Sequence, residues 1–259
     1  ILLGVLVGGW LADRSLALAF AGVIAAYLLA AGANLLIPRL PPESPLHTLH
    51  PVELVRQFIA SAKTLLRHPD ARFSILASSM FWGSGSTLRL MLFAWVPVAL
   101  AIQDNQTPAN LMGVVSVGIV LGAAAAGLWI SLATVNRALV GGVLIGPCIV
   151  AVAMVNDMSS AVVLMAAIGF FGGLFVVPLN ALLQECGHHS IGAGKALAVQ
   201  NFAENSAMLL FVSAYSAANS AGVPVTHGMA GFGLALLLAI GTLCWVRLRG
   251  KGLAVQKTY

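Results

Sequence analysis

Charge is what this sequence has least of. Of its 259 residues only 8% are Asp, Glu, Lys or Arg, while 59% are hydrophobic. A soluble domain carries roughly 25% charged residues. So low a content excludes a surface built for water and makes lipid the solvent of much of this chain. Cysteine is scarce too. Cys148, Cys186 and Cys244 lie far apart in apolar runs without a CxxC pair, which excludes a disulfide framework and a thiolate metal site. They read as small buried hydrophobes.

Chemistry-bearing motifs are equally thin. Gly192-Ala193-Gly194-Lys195-Ala196 has the look of a phosphate loop. It lacks the earlier glycine, has Ala where Ser or Thr belongs, and opens no βαβ unit. His188 and His189 have no acidic or cysteine cluster beside them to complete a metal site. No His is followed five residues later by Asp, and no serine or cysteine has an obvious base nearby. The expectation is a protein that is not an enzyme and has no cofactor, no metal and no nucleic-acid partner.

What is present is a succession of apolar segments at about 15–37, 72–101, 109–132, 137–155, 160–184, 196–222 and 226–246. Each is long enough for a helix across about 30 Å of hydrocarbon. The breaks carry turn residues: Pro38 with Pro41 and Pro42, Asp104 to Pro108, Asn136-Arg137, Asn156-Asp157, Gly187 to His189, and Gly222 to Pro224. Residues 1–12 are apolar but too short to span, and no basic stretch precedes them. They are expected to be the end of a helix whose earlier part, with an N-terminal half of the protein, is missing from this sequence.

Residues 39–71 differ in holding Arg39, Glu43, Glu53, Arg56, Lys63, Arg67 and Asp70. Within them Val52, Val55, Ile59, Ala62 and Leu66 recur at helical spacing. An amphipathic helix at the membrane surface, or a solvated loop helix, is expected. Lys and Arg then set the orientation. With 39–71 inside, Arg39, Arg56, Lys63, Arg67, Arg72, Arg137, Lys195, Arg247, Arg249, Lys251 and Lys257 share the cytoplasmic side. Only Arg14 is opposite, and Arg89 is inside a span.

A cytoplasmic linker, six spans and a cytoplasmic tail form the pattern of the second half of a major facilitator transporter. The expected division is 1–37 as the end of the N-terminal helical half (end of helix 5, helix 6), 38–71 as the linker, 72–247 as a six-helix C-terminal bundle (helices 7 to 12), and 248–259 as the tail. Gly8-Gly9-Trp10-Leu11-Ala12-Asp13-Arg14 resembles the start of the facilitator loop signature after helix 2. It is followed by Ser15-Leu16-Ala17 rather than a basic stretch. A cytoplasmic placement would also put 39–71 outside.

Two charges inside apolar spans are the best functional candidates. Arg89 lies about 25 Å along the helix from Arg72, too far to snorkel to the cytoplasmic surface. An arginine does not deprotonate, so it requires an anion, water or a structural partner. Binding an anion in a central cavity, forming a structural pair and snorkelling to the outer interface all stay open. Glu204 shares a helical face with Gln200, Asn201 and Asn205. Such a face is expected to look into a cavity or the other half, with helix–helix bonding as the bland alternative. Glu204 is a candidate cation partner, proton carrier or mate of Arg89. Asn180, after a kinking Pro178, is a further cavity candidate, with Glu185 at the mouth. The small-residue stripes Gly118, Gly122, Ala126 and Gly142, Gly146 read as packing surfaces.

Four stretches together are distinctive: Phe81-Trp82-Gly83-Ser84-Gly85-Ser86-Thr87-Leu88-Arg89, Trp95-Val96-Pro97-Val98-Ala99-Leu100, Phe175 to Glu185, and Ala198 to Leu210. They resemble the bacterial lysophospholipid transporters of the major facilitator superfamily, over about Ile1 to Arg249. The resemblance implies a flippase moving lysophosphatidylethanolamine and lysophosphatidylglycerol to the cytoplasmic leaflet of the inner membrane. It also implies a functional link to an acyltransferase–acyl carrier protein synthetase that reacylates them. Arg89 and Glu204 match the family's cavity charges. Cys186, His188 and His189 replace more basic residues of relatives. A proton-coupled drug or metabolite facilitator is the alternative.

Overall fold

The computed structural model describes residues 2–38 and 51–256. These residues form nine α-helices and one 3-10 turn, with no strand among them. In order they are α1 (Leu2–Arg14), α2 (Leu16–Asn34), α3 (Pro51–Arg67), α4 (Pro69–Ala99), α5 (Gln106–Trp129), the turn Leu132–Arg137, α6 (Ala138–Met154), α7 (Met158–His188), α8 (Ala193–Ser220) and α9 (Val225–Gln256). All seven expected segments are helices, and the linker section 39–50 lies outside the described residues. Helix α9 continues past Arg247, so most of the segment expected to be a tail prolongs the last helix.

Among the described residues, five helical stretches are long and apolar enough to cross a membrane: Leu16–Asn34, Gln106–Trp129, Leu132–Met154, Met158–His188 and Val225–Arg249. Helices α4 and α8 are just as long but more polar, and they pack closely against each other. The polar residues that lower their hydropathy include Arg89 on one and Gln200, Asn201, Glu204 and Asn205 on the other. An exposed polar face is costly in hydrocarbon, so its price is reduced when the two polar helices share a side of the bundle.

The α5–α7 seam is built from glycine. A Cβ added at Gly118 or Gly122 would overlap backbone of Ala166 or Phe170, and one at Gly169 or Gly173 would overlap backbone of Val115 or Ile119. The expected small-residue stripe is thus filled by neighbouring main chain, which lets the two helices approach closely. A core of Trp95, Phe175, Met165, Ile149 and Met229 joins α4, α6, α7 and α9. Helix α2 buries none of its residues in this chain, and α1 leans on α5.

Helix α3 is amphipathic as expected, but its docked face is shifted. Leu65 is buried and Phe58 and Ala62 are half-buried against Ala71, Ile75, Leu183, Ala196 and Val199 of α4, α7 and α8. Phe58 meets Phe202 edge to face, with ring centres 5.3 Å apart. Val52, Val55, Ile59 and Leu66 of the expected stripe remain exposed. The helix therefore carries two apolar surfaces, one on protein and one open to lipid.

Candidate functional site

Helices α4 and α8 run in the same direction. Ala71 and Ile75 cluster with Ala196 and Val199 at the basic end, and further along Gly83 lies against Ala207 and Phe211. That register fixes the two candidate charges. Arg89 sits six residues beyond Gly83, and Glu204 three residues before Ala207, so they are offset by roughly 14 Å along the bundle. No ion pair joins them among the described residues. The possibility of Glu204 as the mate of Arg89 is not realised in this structure.

Glu204 is buried, and its Oε1 accepts a hydrogen bond from Gln200 Nε2 at 2.8 Å. The same amide nitrogen donates to Asn180 Oδ1 of α7 at 2.7 Å. Gln200 thereby spends both amide protons bridging α8 to α7, with the carboxylate at one end of the chain. One turn apart on α8, Gln200 and Glu204 face inward. Asn201 and Asn205 do not share that environment: both are exposed, and Asn205 Nδ2 is bonded at 2.7 Å to the Asn201 carbonyl. The single polar face expected for these four residues is therefore split into a buried pair and an open pair. Adjacent positions on a helix point about 100° apart, so a buried stripe narrow enough to take 200 and 204 leaves 201 and 205 at its edge.

Arg89 is exposed in this chain and has no ion-pair partner among the described residues. It borders two cavities. One, of about 320 Å³, lies inside the bundle among α4 to α8, lined by Phe81, Gly85, Met112, Ile149, Val176 and Met208. The other, of about 520 Å³, lies between α1, α4 and α5 against Gly8, Gly9, Phe93, Asn105 and Ala109. Helix α1 closes onto α5 there: a Cβ on Gly9 would overlap that of Ala109, and Asp13 Oδ1 accepts the Asn105 backbone N–H at 2.9 Å.

A second arginine has a very different setting, which sequence reasoning missed. Arg247 of α9 is buried; its Nη1 pairs with Asp70 Oδ1 at 2.9 Å, and its Nε donates to Asn136 Oδ1 at 2.8 Å. Its guanidinium also covers the Phe73 ring at 4.1 Å. The cluster ties the start of α4 to the end of α9 and to the α5–α6 turn. In the sequence these residues are two charges and an amide near helix ends or turns, and nothing local marks the pairing of Asp70 with Arg247 across 177 positions. Glu185, expected at a mouth, is exposed and bonds His189 at 2.9 Å.

Long apolar helices around buried polar groups and cavities make this an all-α, multi-pass membrane protein. Over 246 residues, 95% of this chain, it is 46% identical to proteins named "Lysophospholipid transporter LplT" from Shigella boydii serotype 4 and Escherichia coli strain SMS-3-5. The chain is a homologue of these bacterial lysophospholipid transporters, and it spans 62% of their length. No protein-family model matches it.

Proposed function

We propose that this chain is the C-terminal portion of a lysophospholipid transporter with the major facilitator fold. Its α4 to α9 are the six-helix C-terminal bundle, and α1 and α2 are the end of an N-terminal half that the relatives' greater length leaves room for. The observation that carries the reading is Arg89, a cation with no ion-pair partner among the described residues, at the meeting of two cavities in a chain homologous to named lysophospholipid transporters. A phosphate is a strong partner for a guanidinium through charge-assisted, bidentate hydrogen bonds.

On this reading the substrate is a lysophospholipid with an ethanolamine or glycerol head. It moves to the cytoplasmic leaflet of the bacterial inner membrane, where an acyltransferase–acyl carrier protein synthetase reacylates it. Arg89 takes the phosphate. Glu204, held by Gln200 and Asn180, offers a carboxylate to an ethanolamine ammonium, and Asn201 and Asn205 face the other half and bond glycerol or ester oxygens. The protein acts as a carrier, not an enzyme. On this reading the α3, α4, α8 and α9 ends that carry the basic residues, and the C-terminus, lie in the cytoplasm, which the bias of Lys and Arg toward one side supports.

The test is lysophosphatidylglycerol flux in proteoliposomes of the full-length transporter. Arg89→Ala should abolish it and Arg89→Lys should reduce it partly, since lysine keeps the charge and loses the planar fork. Normal flux through folded Arg89→Ala would sink the assignment. A second reading rests on Glu204 itself, a buried carboxylate in a membrane helix: a proton-coupled facilitator of drugs or metabolites. That reading requires flux to collapse with the proton gradient. External labelling of cysteines placed at Asn105 or Asp157, but not at Lys63 or His188, checks the orientation.

A further inference from the structure

The cavity inside the bundle has a lining with an unusual division of labour. Three serines border it, but none offers it a free hydroxyl proton: Ser84 donates to the Phe81 carbonyl at 2.8 Å, Ser86 to Gly83 at 2.9 Å, and Ser116 to Met112 at 3.0 Å. With those hydroxyls turned back onto their own helices, the walls are largely hydrocarbon, with Trp82 a further lining residue that carries a polar N–H. The one charged group on the lining is Arg89, which also lines the neighbouring cavity beside Asn105. A volume of about 320 Å³ falls within the roughly 300–1,000 Å³ usual for small-ligand pockets.

An apolar chamber and a second chamber holding an amide, meeting at one arginine, match a molecule with one hydrocarbon tail and one anionic head. We propose that the bundle cavity receives the acyl chain of the lysophospholipid while Arg89 holds its phosphate at the entrance, and that Gly85 sets how long a chain fits. This rests on the transport reading above. Gly85 is the informative position because a Cβ built there meets nothing within 4 Å, whereas Gly83 two residues earlier is crowded by Phe211 at 2.9 Å and Ala207 at 3.2 Å. A side chain at 85 therefore enters open space bordering the cavity without displacing a neighbouring helix. Replacing glycine within a helix also favours the helical state. Residue 85 stands one helical turn from Arg89 on the same face, so the readout is the ratio of two lipids with the same head, in which any effect on phosphate binding cancels.

The experiment compares stearoyl- and lauroyl-lysophosphatidylglycerol flux in the full-length transporter, wild type, Gly85→Ala and Gly85→Leu. Removal or addition of methylene-sized volume in an apolar pocket changes discrimination by roughly tenfold or more. Gly85→Leu should lower stearoyl flux at least about tenfold relative to lauroyl flux, with Gly85→Ala in between. Equal effects on both lipids, or none, overturn the assignment of the chain to this cavity while leaving transport standing. A wild type that moves neither lipid removes the transport reading, and the occupant with it. Unfolding midpoints of the purified Gly85→Ala and Gly85→Leu proteins, compared with wild type, separate misfolding from a filled cavity. A lysophosphatidylglycerol with a diazirine at the methyl end of its chain should label Ile149, Val176 or Met208. Labelling confined to outward-facing residues such as Leu209 and Leu210 overturns the proposal.

Discussion

Two regions of this bundle each hold an arginine, and they treat it in opposite ways. At the basic end, Arg247 is enclosed: a carboxylate, an amide oxygen and an aromatic face surround it, and its side chain is 5% exposed. Two-thirds of the way along α4, Arg89 has none of these among the described residues and opens onto two cavities. The same side chain is a clasp in one place and, on the proposed reading, the anion-binding group in the other. Position in a membrane helix alone therefore does not tell a structural arginine from a binding one; its partners do.

The largest expected effect separates the two by readout. Arg89→Ala should cost transport at least about 100-fold, near 2.7 kcal/mol of barrier, with the thermal midpoint of the purified protein unchanged. A large fall in that midpoint would make Arg89 structural too and erase the contrast. Next, Asp70→Asn removes the clasp's carboxylate and leaves Arg247 buried without its counter-charge. Breaking a fully buried pair costs 3–5 kcal/mol. Asp70 keeps 36% exposure, so about 2 kcal/mol is expected, read as a lower unfolding midpoint.

Glu204→Gln should be smaller and more selective. The amide oxygen still accepts from Gln200, so the α7–α8 bridge is kept while the charge is lost. Flux of lysophosphatidylethanolamine should fall about tenfold, near 1.4 kcal/mol, with the glycerol lipid spared. Equal loss of both, together with loss of gradient dependence, would favour proton carriage. The smallest effect is at the opposite end of the bundle. Asp157 caps α7, and the Ser160 backbone N–H and hydroxyl hold its carboxyl below the ordinary value. Its depressed folded-state pKa means this stabilisation is present above the unfolded carboxylate pKa and fades as pH falls through the folded one. Asp157→Ala should lower the unfolding midpoint slightly at neutral pH, and the difference from wild type should vanish in acid.

The helices were legible because a lipid-facing helix needs about 20 apolar residues in a row, and the turn residues between runs are strong punctuation. Arg89 and Glu204 were legible for the converse reason: a charge in such a run is costly and stands out. What was not legible depended on the third dimension. Helical spacing grouped Asn201 and Asn205 with Gln200 and Glu204, but only the packing of α7 shows where the buried face ends. Likewise, α3 has apolar residues over much of its surface, and its docking partners, not its periodicity, selected Phe58 and Leu65 over Val52 and Ile59. The Asp70–Arg247 clasp joins distant segments, a fact that no window of local sequence contains.

The glycine seam between α5 and α7 has a consequence for how this protein can vary. Gly118, Gly122, Gly169 and Gly173 meet main chain directly, so the contact has no rotamers to freeze and carries no side-chain entropy cost. It also has no slack. Every amino-acid substitution at these four positions adds at least one carbon where a carbonyl already sits, and no neighbouring side chain can swing aside to admit it. Gly85 lies under no such constraint. The mutational freedom of this bundle is thus unevenly distributed among residues of a single type: the seam is locked to one amino acid, while the cavity wall can be retuned one substitution at a time.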